Sequence, residues 1–297
     1  MTDVLFGVSI APATEVEQVR AAALAAEHAG LDLVGIQDEP YFGHRLEAFT
    51  LMADLLARTE RIHLFPDVVA LPLRPAPVLA RTASTLSLMS GGRFQLGLGA
   101  GGVWDAMTSM GAEQLQPAQS LAALAESITL LRQLWQTEVE VAAAGEWYPV
   151  HSLASQAPHS AGIEIWLGAL RARSLALTGR VADGWAAPTQ KYLPMEVWAD
   201  GNRAVDRAAA EAGRDPAAIR RLAQVIGTIT PDATSGPIEL TGKAPIRTSA
   251  AGWSDLLTKL AEEHGFTGFV FWPEHEAASQ STVFGAEVVP LVRQRLG

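Results

Sequence analysis

Two adjacent carboxylates, Asp38 and Glu39, follow a short apolar run and precede Pro40 and Tyr41. Proline cannot continue strand pairing, so the pair is expected at the carboxyl end of a strand, where the chain turns. One carboxylate could accept a hydrogen bond and the other a proton, because burial raises a carboxyl pKa toward the working pH. The plainer reading is a solvated acidic turn, the commoner fate of such pairs. A second candidate is Gly168-Ala169-Leu170-Arg171-Ala172-Arg173-Ser174. Small residues ahead of a helix leave its first N–H groups free, the helix dipole favours an anion there, and Arg171 and Arg173 add fork-shaped donors. That pattern suits a phosphate, although arginine-bearing helix starts often hold only water.

Two further stretches could shape a pocket. Ser90 to Asp105 reads SGGRFQLGLGAGGVWD. Phe94, Leu96 and Leu98 alternate with Gln95, Gly97 and Gly99, a period of two that argues for a strand. Glycines within a strand mark close approach of another backbone or a ligand. Gly99-Ala100-Gly101 then leaves bare backbone at the carboxyl end, and Trp104 could cover a flat ligand. The alternative is a strand thinned only for packing. Within a neighbouring apolar run, Pro66-Asp67-Val68-Val69 suggests a bulge that turns backbone groups toward the barrel axis, or else an irregularity in which Asp67 bonds its own neighbours.

The elements that must hold these residues alternate along the chain. Strands are expected at 5–10, 31–36, 62–71, 94–98, 163–167, 182–187, within 220–230 and at 267–272, each followed by a helical stretch. That rhythm implies parallel strands with helical crossovers, and eight such units close most naturally into a barrel whose sites lie at the carboxyl ends of the strands. Thr137 to Gly162 and Pro231 to Arg247 break the rhythm. The first is read as an excursion carrying a hairpin, the second as an irregular insertion, both within one domain spanning 1–297. Trp135, Trp166, Trp185 and Trp253 look like packing residues, whereas Trp104, Trp147 and Trp272 fall at element ends and could line a pocket.

Composition removes several classes of function. The 297 residues include no cysteine, so disulfides, thiolate metal sites and cysteine nucleophiles are excluded. Net charge is −10 with no basic run, a poor basis for nucleic-acid binding. The seven histidines form no HxxxH or HExxH pattern, and no GxSxG elbow is present. No run of 18 apolar residues argues for a membrane span and no leader is visible, so a cytoplasmic chain is expected.

Several stretches, in order, resemble the bacterial luciferase-like family of flavin- and deazaflavin-dependent oxidoreductases. Leu71 to Gly101 (LPLRPAPVLARTASTLSLMSGGRFQLGLGAG) is similar to that family's third helix and fourth strand. Ile165 to Ala187 (IWLGALRARSLALTGRVADGWAA) resembles its fifth strand, phosphate loop and sixth strand. Gly30 through Pro40 resembles its second strand, and FVFWP followed by FGAEVVPLVRQRL its last unit. The resemblance implies a (β/α)8 TIM barrel with loop insertions at the carboxyl face. It also implies coenzyme F420 or FMN as cofactor and a small organic substrate, handled by hydride transfer or monooxygenation. Asp38 and the alanine- and arginine-rich composition favour F420 slightly. By the same resemblance, Val68 and Val69 form a bulge behind the ring, where the family often has a non-proline cis peptide. Gly99, Ala100, Gly101, Trp104 and Asp105 border the ring, and Ser9 and Asp38 touch the cofactor. Gly168, Ala169, Leu170, Arg171 and Arg173 cradle its phosphate. Many members carry a histidine linked to proton transfer where Glu39 stands, and others a glutamate at the position of Gly102. Glu39, with Asp38, is therefore the candidate catalytic residue. A homodimer through the second and third helices is implied by analogy. Two other classes stay open: a flavin-binding protein without turnover, and an unrelated barrel lyase or hydrolase using Asp38 and Glu39.

Overall fold

The computed structural model describes residues 4–136, 139–155, 160, 162–231 and 242–297. Strands β1 (Leu5–Ile10), β2 (Leu33–Ile36), β3 (His63–Pro66), β4 (Val69–Ala70) and β5 (Leu96–Gly99) alternate with helices α1 (Val16–His28), α2 (Ala48–Arg58) and α3 (Ala76–Ser90). A short α4 (Trp104–Ser109) and the long α5 (Pro117–Gln136) follow β5, and a hairpin of β6 (Val141–Ala143) and β7 (Val150–Leu153) comes next. The rhythm resumes with β8 (Ile165–Leu167), α6 (Ala172–Val181), β9 (Gly184–Ala187), α7 (Trp198–Glu211) and β10 (Arg220–Ile229). It closes with β11 (Ile246–Thr248), α8 (Ala250–His264), β12 (Gly268–Pro273), α9 (Ala277–Val283) and α10 (Val289–Leu296). No helix among the described residues is long and apolar enough to cross a membrane.

The sheet runs β3-β2-β1-β12-β10-β9-β8-β5-β4, with neighbouring strands along it parallel. β3 and β4 are two halves of one broken strand. Leu64 of β3 bridges to Phe94, just before β5, while β4 pairs with β5 itself. Counting the broken strand once, eight positions close a ring, the expected (β/α)8 barrel. Each strand is buried on both faces and so reads as an apolar run. The two-residue period divides its side chains between two cores. Phe6, Val8, Val34, Ile36, Leu64, Leu96, Leu98, Phe269 and Phe271 face the helices. Leu33, Phe65, Trp166, Ala186, Leu222 and Val270 fill the barrel.

Three elements differ from expectation. The second insertion is not irregular to Arg247: β11 pairs with the carboxyl half of β10, which Gly227 permits because a Cβ there would lie 2.0 Å from the Ile246 carbonyl. Residues 232–241 of that insertion lie outside the described residues, as do 137–138, 156–159 and 161 of the first. The last helix, expected over 283–296, starts at Ala277 and widens into a π-helical turn over Phe284–Val288 just ahead of Pro290. Proline has no N–H to give to the preceding turn, and a wide turn accommodates that loss. The short α4 was not anticipated at all.

The close approach of β3 to β5 yields a stability test. A Cβ at Gly97 would lie 2.1 Å from the Pro66 carbonyl oxygen, whereas one at Gly102 meets nothing within 4 Å. Gly97→Ala should cost about 2 kcal/mol or more in urea unfolding, and Gly102→Ala should stay within about 0.5 kcal/mol of wild type. Equal effects would refute this account of the strand break.

Candidate functional site

The carboxyl mouth of the barrel is built around the broken strand. The peptide between Asp67 and Val68 is cis. Val68 points inward there, so that its Cγ2 methyl lies 2.9 Å from where a Cβ of Gly99 or of Gly168 would be. Val69 is buried, while Val68 keeps part of its surface free at the mouth. Of the two readings of the strand glycines, close approach of another backbone or of a ligand, Gly97 meets the first. Gly97 and Gly99 make room for the Pro66 carbonyl and for Val68. The run from Gly97 to Gly102 also fits the G-x-G-x-x-G spacing of dinucleotide-binding turns, but two of its three glycines are spent on this neighbour. The available signal was a pair of glycines in β5 and another after β8, beside a strand interrupted by Pro66-Asp67. Gly101 has a φ of +98°, and Trp104, half-buried at the start of α4, packs over it, with Cζ2 3.2 Å from a Cβ built there. Ala100 is half-buried and Asp105 is exposed.

The two adjacent carboxylates part ways. Asp38 has no exposed side-chain surface. Its Oδ2 accepts from Ala70 N–H at 3.1 Å and from Arg74 Nε at 2.9 Å, and its Oδ1 accepts from Arg74 Nη2 at 2.6 Å. Arg74 also donates to Glu47 Oε1 at 2.6 Å and lies 4.3 Å from the centre of the Phe49 ring. Glu47 caps α2 by accepting from the Phe49 and Thr50 amides. Burial pushes its carboxyl up, but the Thr50 hydroxyl and amide and the Arg74 guanidinium outweigh that and hold it below the ordinary glutamate range. A fully buried Asp38 that accepts three hydrogen bonds ties β4 to the turn after β2. It does not offer a proton acceptor to the mouth, as its place in the sequence suggested. Arg74, which makes the difference, was not singled out from the sequence. Glu39 keeps 27% of its side chain exposed, with Arg45 3.8 Å from its carboxylate. Burial first, then the charges of Glu39 and Asp38, push the neighbouring Tyr41 phenol up to about 12, so it remains protonated.

Across the mouth, β8 leads through Gly168 to α6. The Gly168 N–H is taken by the Leu98 carbonyl at 3.0 Å, and the Ala169 carbonyl by Trp185 Nε1 at 3.0 Å. The Arg171 N–H is capped by Ser174 Oγ at 3.1 Å. The N–H groups of Ala169, Leu170, Ala172 and Arg173 have no acceptor among the described residues. Leu170, Arg171 and Arg173 are exposed. A turn of open amides flanked by two guanidinium groups, at a helix start, fits a phosphate.

Beneath the mouth the interior is polar. Asp67 is buried, and its Oδ1 accepts from Gln224 Nε2 at 2.9 Å. Its Oδ2 lies 2.9 Å from where a Cβ of Gly35 would be. Ser9 adjoins the carboxyl without a hydrogen bond of ordinary geometry, and Ser9 Oγ, Asp67 Oδ2 and Trp272 Nε1 are all buried without partners. Burial pushes Asp67 up to about 7, against the smaller opposing pull of Ser9 and Gln224.

A cavity of about 380 Å³ opens at the opposite, amino end of the barrel, lined by Asp32, Arg61, His63, Gln95, Glu164 and Arg220 among others. Its strongest charges are already paired. Arg220 holds Glu164 through two nitrogens, at 2.7 and 3.1 Å, and Trp166 Nε1 donates to the same carboxylate at 2.8 Å. This end of a barrel closes the core, and the glycines and open amides described above lie at the other.

Comparison with known proteins places these features in context. Residues 4–235 match the model of the luciferase-like monooxygenase family. An F420-dependent glucose-6-phosphate dehydrogenase of Microbacterium testaceum is 27% identical, with 91% of each chain covered. A phthiodiolone/phenolphthiodiolone dimycocerosates ketoreductase of Mycobacterium tuberculosis is 32% identical over 64% of this chain and 49% of its own. Among solved structures, an F420-dependent secondary alcohol dehydrogenase in complex with an F420-acetone adduct superposes with a TM-score of 0.84 at 17% identity, covering 98% of this chain and 99% of that one. The last likeness bears on the fold alone.

The Asp38–Arg74 pair can be tested by removing its cation. Arg74→Met leaves a fully buried carboxylate without its partner and should cost about 3 kcal/mol in urea unfolding at neutral pH. Arg58→Met, which breaks a surface pair with Asp54, should change little. Equal losses would show that Asp38 is not the buried anchor described.

Proposed function

The chain belongs to the luciferase-like monooxygenase family, and from that premise we propose that it is an oxidoreductase binding coenzyme F420 or reduced FMN across the carboxyl mouth of its barrel. The observation that carries the reading is the set of open amides at the start of α6, beside the Val68 platform and flanked by Arg171 and Arg173. These residues fit a planar ring with a phosphate tail. When bound, such a cofactor supplies hydride transfer or oxygen activation, chemistry that no side chain of the protein provides. The protein supplies position and exclusion of water. Val68 and Val69 form the floor, Gly99 to Gly101 and Trp104 one wall, and Asp38, through Arg74, fixes the opposite wall. Glu39, part-exposed at the rim, exchanges a proton with a small organic substrate. Asp38 contributes by holding β4 rather than by carrying a proton. The relatives described above act with F420, or as a ketoreductase, which supports turnover over a carrier role and F420 as the first cofactor to try, with FMN next.

A homodimer through α2 and α3 belongs to the same reading, as does a cytoplasmic setting. Val78, Leu88 and Met89 on α3 each stand more than half exposed, which supports a covered face. Leu88→Glu with Met89→Glu should convert a dimer to a monomer in sedimentation, and an unchanged mass would remove the dimer from the proposal.

The cofactor reading is tested by binding. Arg171→Ala with Arg173→Ala should weaken FMN about tenfold or more, from the loss of charge-assisted bonds to the phosphate. Riboflavin, which lacks the phosphate, should bind wild type and variant alike. An unchanged FMN affinity would leave the α6 cradle without its proposed role.

A further inference from the structure

Three buried polar atoms without partners meet at one level of the barrel interior. Ser9 follows Val8, which pairs with Phe271 of β12, so Ser9 and Trp272 stand side by side on adjacent strands. Asp67 reaches the same level from β3, across the space left by Gly35 on β2. Gln224 closes the group from β10. Among the described residues no charged side chain acts on Asp67: β1 faces it with Ser9, β2 with glycine and β10 with a neutral amide, and Asp38 is turned to Arg74. A carboxyl this deep with one neutral donor is not needed for stability, because a buried unpaired charge opposes folding. It lies directly before the cis peptide that forms the platform. A Ser9 hydroxyl, a group able both to donate and to accept, stands beside the partnerless Oδ2.

We propose that Asp67 selects the charge state of the ring bound on Val68 and Val69: binding of an anionic, reduced ring is accompanied by uptake of one proton at Asp67 Oδ2. This deepens the proposed cofactor reading and rests on it. The step is a balanced association, in which the carboxylate, one proton from solvent and the anionic ring give the complex with a neutral carboxyl and one negative charge. A negative charge beneath the platform repels an anion above it more strongly in this dry interior than in water, and protonation removes that repulsion. Burial places the titration near pH 7.

The probe is FMN, oxidised or chemically reduced under anaerobic conditions, with the full chain. The affinity of wild type for reduced FMN should fall about a hundredfold between about pH 6 and 9 relative to that for oxidised FMN, the fall that uptake of close to one proton requires. Binding of reduced FMN at the upper pH should take up close to one proton, read by calorimetry in two buffers of different ionisation enthalpy. Asp67→Asn should flatten the relative affinity and abolish the uptake. Gln224→Leu, which removes a donor that favours the ionised form, should move the transition to higher pH; a merely structural Gln224 would leave it in place. Without ligand, the urea midpoint of wild type should fall as pH rises from about 4 to about 7 and level off above that, because the folded carboxyl is raised above its unfolded value; Asp67→Asn should lose that decline. Parallel curves for wild type and Asp67→Asn overturn this proposal and leave the site reading standing. Failure of both FMN forms and of F420 to bind overturns both.

Discussion

A backbone carbonyl where a side chain would normally stand shapes this barrel. The Pro66 oxygen occupies the space that a Cβ of Gly97 would need, and Val68 fills the corresponding space at Gly99 and Gly168. The third strand can break, pass through a cis peptide and resume as β4 only because its neighbours carry no side chains at those points. The break in turn puts an aliphatic platform at the carboxyl end of the barrel, between the Asp38–Arg74 wall and the open amides of α6. Side chains at those glycines would meet the Pro66 carbonyl and Val68, the groups that set the platform at the mouth.

Two buried carboxyls flank this platform, and the protein treats them in opposite ways. Asp38 is paired with a guanidinium in bidentate fashion and also accepts a backbone N–H. Charge buried in that manner is compensated and serves to fasten elements together. Asp67 has one neutral donor and a second oxygen without a partner. Desolvation then dominates, and its ionisation moves into the physiological range. The polar layer that includes it lies above an apolar one formed by Phe65, Trp166, Leu222 and Val270. The change from apolar to polar along the barrel axis marks the end at which chemistry can be done.

Much of this was readable along the chain. The alternation of apolar runs with amphipathic stretches gave eight strand positions, and the buried tryptophans 135, 166, 185 and 253 were recognised as packing residues. The small-residue approach to α6, with its arginines, was visible because helix-start chemistry is local. Other features were not. β11 is too short to announce itself and exists because β10 offers it an edge. Arg74 looks like any arginine before a helix, since nothing in the sequence places it against Asp38, 36 residues earlier. The glycines of β5 pointed to close approach but could not say of what.

Local sequence determined which segments pair, which coil and where an anion could be held, because those preferences act over a few residues. Tertiary structure alone decided the fate of each carboxylate. Asp38 and Asp67 are the same residue type at the ends of adjacent strands, and their chemistry differs because ionisation energy depends on what surrounds the group after folding. A cation folded back from the stretch before α3 reaches one of them, and none reaches the other.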